Sequence, residues 1–377
     1  MQKKIIALAV AGLMSGAAFA QSNVTISGLM RMSVEQYSLG NNTATTGAAY
    51  KYNAVSDQSS MLIFTGKEDL GGGMYAGFVL DTRYAPDFTG AGNTLASGNS
   101  NLNIGGNWGR IAMGRQDLHF GTAIESYKAY TLQNILSNGL FAQVSGNAVA
   151  VASRTPNVVM YDSPNMSGFS ARVAMSSAFR GTEGTGARAA AAADPSSGGA
   201  VNIALNYSNG PFKGGYSYWN ATTEGGRGIT AITSDQRGDT LQFGYTAPMG
   251  LTVGIGWNRS KLDNQGGVST RTAWVLPVSY TFGNNQVAFT YASAGDTNGT
   301  ATGVGSGTNT GAKAYTLAFG HSLSKRTNVG VSYTKLDNKA AASYDLFGLA
   351  ANGAPTATAQ GVGTDVSQFA VNMNHSF

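Results

Sequence analysis

The chain has 377 residues, with 24 Lys and Arg against 19 Asp and Glu, a net charge of +5 and no cysteine. Charged residues make up 11 %, well under the roughly 25 % of ordinary soluble domains. This balance excludes a basic footprint for nucleic acid and thiolate or disulfide chemistry; the 16 Phe, 17 Tyr and 4 Trp exclude a solvated coil.

The first segment, "MQKKIIALAVAGLMSGAAFA", has a basic start at Lys3 and Lys4, an apolar run from Ile5 to Leu13, and an A-x-A site at Ala18, Phe19 and Ala20. It predicts a signal peptide spanning 1–20, cleaved between Ala20 and Gln21, with 21–377 a single domain. Without it, 22 basic residues face 19 acidic ones. Nothing downstream reaches the ~18 apolar residues a membrane helix requires.

After Gln21 the period is two. "NVTISGLMRM" places Val24, Ile26, Gly28, Met30 and Met32 on one face and Thr25, Ser27 and Arg31 on the other. Met74/Ala76/Phe78/Leu80, Val201/Ile203/Leu205/Tyr207, Leu241/Phe243/Tyr245, Leu251/Val253/Ile255/Trp257, Val287/Phe289/Tyr291 and Val329/Val331/Tyr333 repeat it. Such alternation predicts β-strands with one apolar face. The other face carries Thr, Ser, Asn, Gln and Gly where a soluble sandwich would carry many Lys and Glu, which suits a wet lumen. About ten residues per strand matches a tilted membrane-spanning strand. Tyr37, Tyr84, Trp108, Tyr161, Tyr280 and Phe282 fall near strand ends, where interfacial aromatic girdles belong.

The connections alternate in length. Short turns are read at 68–73, 107–109, 163–168, 209–211, 248–250, 282–285 and 324–327. Long polar stretches lie near 38–53, 85–98, 116–151, 181–198, 223–236, 263–269, 297–312 and 338–362. Seven short and eight long connections join sixteen strands, so the expected fold class is all-β: a transmembrane antiparallel β-barrel with long extracellular loops. "DLGGGM" has no Walker lysine and no helix after it, and is read as a tight turn. The terminal "SQFAVNMNHSF" alternates up to Phe377, as expected of a last strand that pairs with the first to close the barrel.

"VTISG", "EDLGGGMYAGFVL", "WGRIAMGRQD", "NVVMYDSPNMSGFS", "LSKRTNVGVSY" and the final "NHSF", in this order, resemble the general porins of Gram-negative β-proteobacteria. The resemblance implies an outer-membrane homotrimer whose third loop, here 116–151, folds into the lumen and sets the constriction. It also implies passive transport of small hydrophilic solutes and ions, with lipopolysaccharide at the outer rim. Neither a cofactor nor a nucleic-acid partner is expected. Phe377 resembles the family's C-terminal assembly signal. Arg115 and Arg154 match positions where such porins carry wall arginines; Arg31, Asp81, Arg83 and Arg172 fall on the lumen parity of their strands, where a charge avoids the ~2–4 kcal/mol it would cost facing lipid. Arg115 shares the parity of Ile111 and Met113, and lines the lumen only if its strand ends near Gly114. Asp117 and Glu125 are the acidic candidates of the third loop, with His119 and Lys128 the basic ones.

Two departures lower the expected positive charge. Met61 and Thr65 stand where relatives usually carry arginines, and Met160 replaces a common basic residue. A weakly selective pore is the expectation. Two other readings remain: a substrate-specific channel, for which Tyr75, Tyr127 and Tyr130 would be the aromatic slide, and a barrel enzyme, for which no G-x-S-x-G occurs.

Overall fold

The computed structural model describes residues 23–41, 50–87, 95–119, 143–144, 147–148, 154–177, 198–223, 234–264, 266–301, 306–346 and 361–377. Among the described residues there are strands and no helix. In chain order the wall is built by β1 (Asn23–Gly40), β2 (Tyr50–Asp57), β3 (Met61–Gly71), β4 (Met74–Arg83), β5 (Ser100–Gly106), β6 (Gly109–Asp117), β7 (Arg154–Asp162) and β8 (Phe169–Ser176). It continues through β9 (Gly198–Asn209), β10 (Phe212–Thr223), β11 (Ser234–Thr246), β12 (Leu251–Asn264), β13 (Gly267–Phe282), β14 (Asn285–Ala294), β15 (Ala312–Ser322), β16 (Thr327–Asn338) and β17 (Asp365–Ser376).

Each strand pairs antiparallel with its neighbours, and β17 returns to β1 from Leu29↔Ser376 to Gly40↔Asp365. β1 pairs with β3 along its first half and with β2 along its second, so β2 and β3 form one stave broken at residues 58–60. The barrel is closed and has sixteen staves, the number counted from the connections. At the seam, Gly28 N donates to Phe377 O and Phe377 N to Gly28 O, both at 3.1 Å. The Phe377 ring lies over Gly28 and leaves no room there for a β-carbon.

The alternation is inverted relative to a soluble protein. Val24, Ile26, Leu102, Met113, Leu205, Leu241, Leu317 and Phe369 are exposed on the outer wall, while Asn103, Asn202, Ser217, Thr240, Asn258, Thr316 and Gln368 are buried inside. Lipid can receive the first set but cannot satisfy the second or the backbone, so only a closed ladder is compatible with the membrane. Trp108 and Tyr161 (centroids 6.5 Å apart), Phe169 and Tyr207 (4.6 Å) and Tyr280 and Phe282 (5.6 Å) pair along the short-turn end. Tyr37 does not belong to such a girdle. It is fully buried on the lumen row of β1, stacked on Tyr52 at 5.0 Å.

All seven short turns are present. In the first, Gly71, Gly72 and Gly73 have φ of 78°, 62° and 78°, a left-handed run that β-carbons would strain. The stretch 263–269 is not a long loop: β12 and β13 stay paired up to Asn264↔Gly267, leaving residues 265–266 as the connection. The polar composition reads as loop, but Lys261, Leu262 and Asp263 keep their ladder partners Thr270, Ser269 and Val268. The break in the second stave was also not foreseen. There the Asp57 carboxylate accepts Ser59 N and Ser60 N, each at 3.0 Å, with Ser59 at φ 65°.

Candidate functional site

The lumen rows of β1 and β4 carry Arg31, Asp81 and Arg83. Asp81 accepts Arg83 Nη2 at 2.7 Å, Arg83 Nε at 3.1 Å and Asn99 N at 3.2 Å, so its charge is locally matched. The broken stave fixes Arg31: Arg31 N donates to Ser60 Oγ and Gln58 N to Arg31 O, both at 2.9 Å. Arg31 lies within Coulombic reach of Arg83 and of Asp57, an acidic neighbour that the sequence reading missed because the break supplies it. Arg154 stands opposite Asp117 in the β6–β7 ladder and within Coulombic reach of Arg83, Asp117, Arg115 and Asp81.

β6 does not end at Gly114. It runs to Asp117, while the β7 side skips from Val158 to Thr155 around Asn157, which has φ 56°. Arg115 is therefore exposed, in register with Ser100 of β5 and on the parity of Ile111 and Met113. Asp117 is held by Asn99, whose Nδ2 donates to Oδ2 at 2.9 Å and whose Oδ1 accepts Asp117 N at 2.7 Å. The resulting group has four guanidiniums, on Arg31, Arg83, Arg154 and, on the outward row, Arg115, against four carboxylates, on Asp57, Asp81, Asp117 and Asp87, whose Oδ2 accepts Asp57 N at 2.8 Å.

Arg172 belongs to a separate group. Its Nε donates to Asp162 Oδ1 at 2.6 Å, and Arg110 Nη2 donates to Asp162 Oδ2 at 2.7 Å. From there Arg172 Nη1 reaches Asp117 O at 3.4 Å, at the point where the chain leaves the wall. Glu125, Lys128, Tyr127 and Tyr130 lie outside the described residues. Tyr75, the remaining aromatic candidate, faces a recess of about 730 Å³ with Thr25, Thr65, Lys67 and Asp69, and Lys67 Nζ sits 4.3 Å from its ring centre.

Past Asp117 the chain turns into the barrel. Leu118 is fully buried in a cluster with Ala112, Val158, Met160, Ala174 and Trp219. This explains the departure at Met160: a basic residue there would lie under Leu118 without water. His119 is also fully buried, and its ring makes contact with strands four and five positions round the wall. Its Nδ1 is 2.9 Å from Ser217 Oγ, its Nε2 3.5 Å from Thr240 Oγ1, and its N donates to Asn202 Oδ1 at 3.4 Å.

Two further features line the long-loop end. Glu35 is 1 % exposed and has no ion pair among the described residues; it accepts Ser33 Oγ at 2.7 Å, Tyr37 OH at 2.7 Å, Ser56 Oγ at 3.0 Å and Gln58 Nε2. Four neutral donors replace the hydration it loses. Beside it, the lumen face of β13–β17 has an apolar patch towards the long-loop end: Val275, Ala292, Ala312, Leu336 and Val366 pack with Leu39 against Ala342, Tyr344 and Leu346 of the last long loop. Asn338 fastens that segment, donating Nδ2 to Tyr344 O at 2.8 Å and accepting Tyr344 N at 3.1 Å. Arg271, 1 % exposed, donates Nη1 to Tyr344 OH at 3.3 Å.

The family model described as Gram-negative porin matches residues 7–341. Outer membrane porin protein 32 of Delftia acidovorans is 28 % identical over the whole of both chains. Among solved structures, the anion-selective porin from Comamonas acidovorans superposes with a TM-score of 0.73 at 24 % identity, covering 95 % of this chain and all of that one. The outer membrane protein OmpT of Vibrio cholerae, in its trimer form, gives a TM-score of 0.62 at 11 % identity, over 94 % and 99 % of the two chains.

Proposed function

The chain belongs to the Gram-negative porins, outer-membrane channels for passive diffusion, and on that premise we propose that it is a weakly selective general pore. The observation that carries this reading is the group of Arg31, Arg83, Arg115 and Arg154 against Asp57, Asp81, Asp87 and Asp117. A ring of charge sorts ions by sign, and four cations against four carboxylates leave no net excess. Asp81 and Asp117 hold part of that charge close to its partners, which weakens its field in the channel further. Small hydrophilic solutes pass down their gradients without chemistry and without a cofactor.

A homotrimer in contact with lipopolysaccharide phosphates, and cleavage of residues 1–20 between Ala20 and Gln21, belong to the same proposal. They are supported by the apolar outer wall, by the n-, h- and A-x-A pattern and by the trimeric form of the Vibrio relative. Phe377, seated over Gly28, is proposed as the closure and assembly residue. No catalytic role is proposed. The test is planar-bilayer recording of the purified protein in symmetric KCl and then across a tenfold gradient. Stepwise conductance with a reversal potential well under the about 59 mV of a perfectly selective pore supports the reading. Absence of conductance, or a reversal close to that limit, contradicts it.

A further inference from the structure

The chain leaving β6 enters the lumen through three successive residues, each met by a different kind of seat. Asp117 O accepts Arg172 Nη1 at 3.4 Å, and Arg172 is itself held by Asp162. Leu118 fills the apolar cluster over Met160 and Ala174. His119 enters a polar niche formed by Asn202 of β9, Ser217 and Trp219 of β10, and Thr240 of β11. The niche is prearranged: Asn202 Nδ2 donates to Ser217 Oγ at 3.0 Å and to Tyr218 O at 2.7 Å, and Asn258 Nδ2 donates to Thr240 Oγ1 at 3.1 Å. The Trp219 ring closes one side, with its centre 6.5 Å from the imidazole.

We propose that His119 is a positioning residue of the channel: its imidazole fastens the chain that leaves β6 to the β9–β11 wall, and this attachment sets the conductance and the quietness of the open pore. The proposal rests on the reading of the protein as a pore. Among the described residues the niche offers hydroxyl oxygens to the ring and an amide oxygen to His119 N. Asp239, which faces away on the outer row of β11, is the acidic group that bears on the ring. The facing cations on adjoining strands are Arg271, whose Nη2 donates to Asn258 Oδ1 at 3.4 Å, and Arg172, whose Nη1 donates to Asp117 O at 3.4 Å. Burial therefore pushes the His119 pKa down to about 3, with Asp239 opposing the shift only partly.

The sign follows from linkage. A released imidazole titrates near its ordinary value of about 6.5, whereas the seated one stays neutral to about 3. Above the higher value the two states bind protons alike. Between the two, each unit of acidification favours release about tenfold. A packing role alone would give no such profile.

The experiment is single-channel recording of the full protein, with its His119→Gln and His119→Ala variants, from pH 7.5 to pH 3.5. Folding is checked by heat-modifiable migration on gels. Gln keeps hydrogen-bonding groups in the niche and cannot titrate; Ala empties it. The expected result is a wild-type pore that is quiet above pH 6.5 and increasingly noisy below it, and an H119Q pore that loses that added noise. H119A is expected to be noisy already at pH 7.5. Superimposable pH profiles of wild type and H119Q would overturn the proposal, and that pair decides it even if H119A does not fold. A loss of conductance in the wild type would instead sink the pore reading itself, so the two failures are distinct.

Discussion

Two stretches of the inner wall differ although the same alternation places both of them inside. Along β1–β7 the inner wall holds Asp81 hydrogen-bonded to Arg83, with Arg31 and Arg154 within Coulombic reach of Arg83. Along β13–β17 it holds Val275, Ala292, Ala312, Leu336 and Val366, all at most 3 % exposed beneath Ala342, Tyr344 and Leu346. Parity decides which way a side chain points; what covers it decides whether it meets water. On the proposed reading, ions are sorted along the charged side, and the dry patch is a seat for a loop.

The comparison breaks most sharply if a charge is put on the dry side. Leu346→Asp buries a carboxylate without a partner, and a loss of about 3–5 kcal/mol is expected, read as a fall in thermal midpoint with higher single-channel conductance as the 339–346 segment leaves its seat. Lys67→Gln, on the exposed short-turn side of the lumen, should stay within about 0.5 kcal/mol. Tyr344→Phe removes the hydroxyl that receives Arg271 Nη1. A hydrogen bond from a charged donor is worth about 1.5–3 kcal/mol, so denaturant melts should move by that amount with the fold retained. A small effect also belongs to the rim, where Lys339 Nζ lies 2.9 Å from Asp296 Oδ1 and the lysine side chain is 46 % exposed. Lys339→Ala should cost under about 1 kcal/mol, and unchanged melts in high salt would agree with it. A larger loss there would show that the last loop depends on its rim more than on its apolar seat.

Most of the barrel was legible because lipid imposes a strict rule. Period two, seven glycine- and asparagine-rich turns and the final alternating run to Phe377 need only local reading, and each has its counterpart in the ladder. What escaped depends on contacts between distant residues. The break at 58–60 hides in "SDQSS", because the Asx turn on Asp57 leaves no strong sequence mark. Tyr37 looks like a girdle residue until its partners Glu35 and Gln368 place it inside. Met160 read as a missing charge, and the reason is Leu118, 42 positions earlier in the chain. Four of the proposed lumen charges, Arg31, Asp81, Arg83 and Arg154, share one electrostatic neighbourhood, whereas Arg172 joins Asp162 and the loop root instead.

The most direct test of the central claim is the reversal potential across a tenfold KCl gradient, measured for the wild type and for the Arg115→Ala/Arg154→Ala pair. The account predicts a small wild-type value that moves to the cation side in the variant, with the barrel still heat-modifiable. An unchanged reversal potential in a folded variant would contradict it, because the charge that sorts ions would then lie elsewhere on the wall.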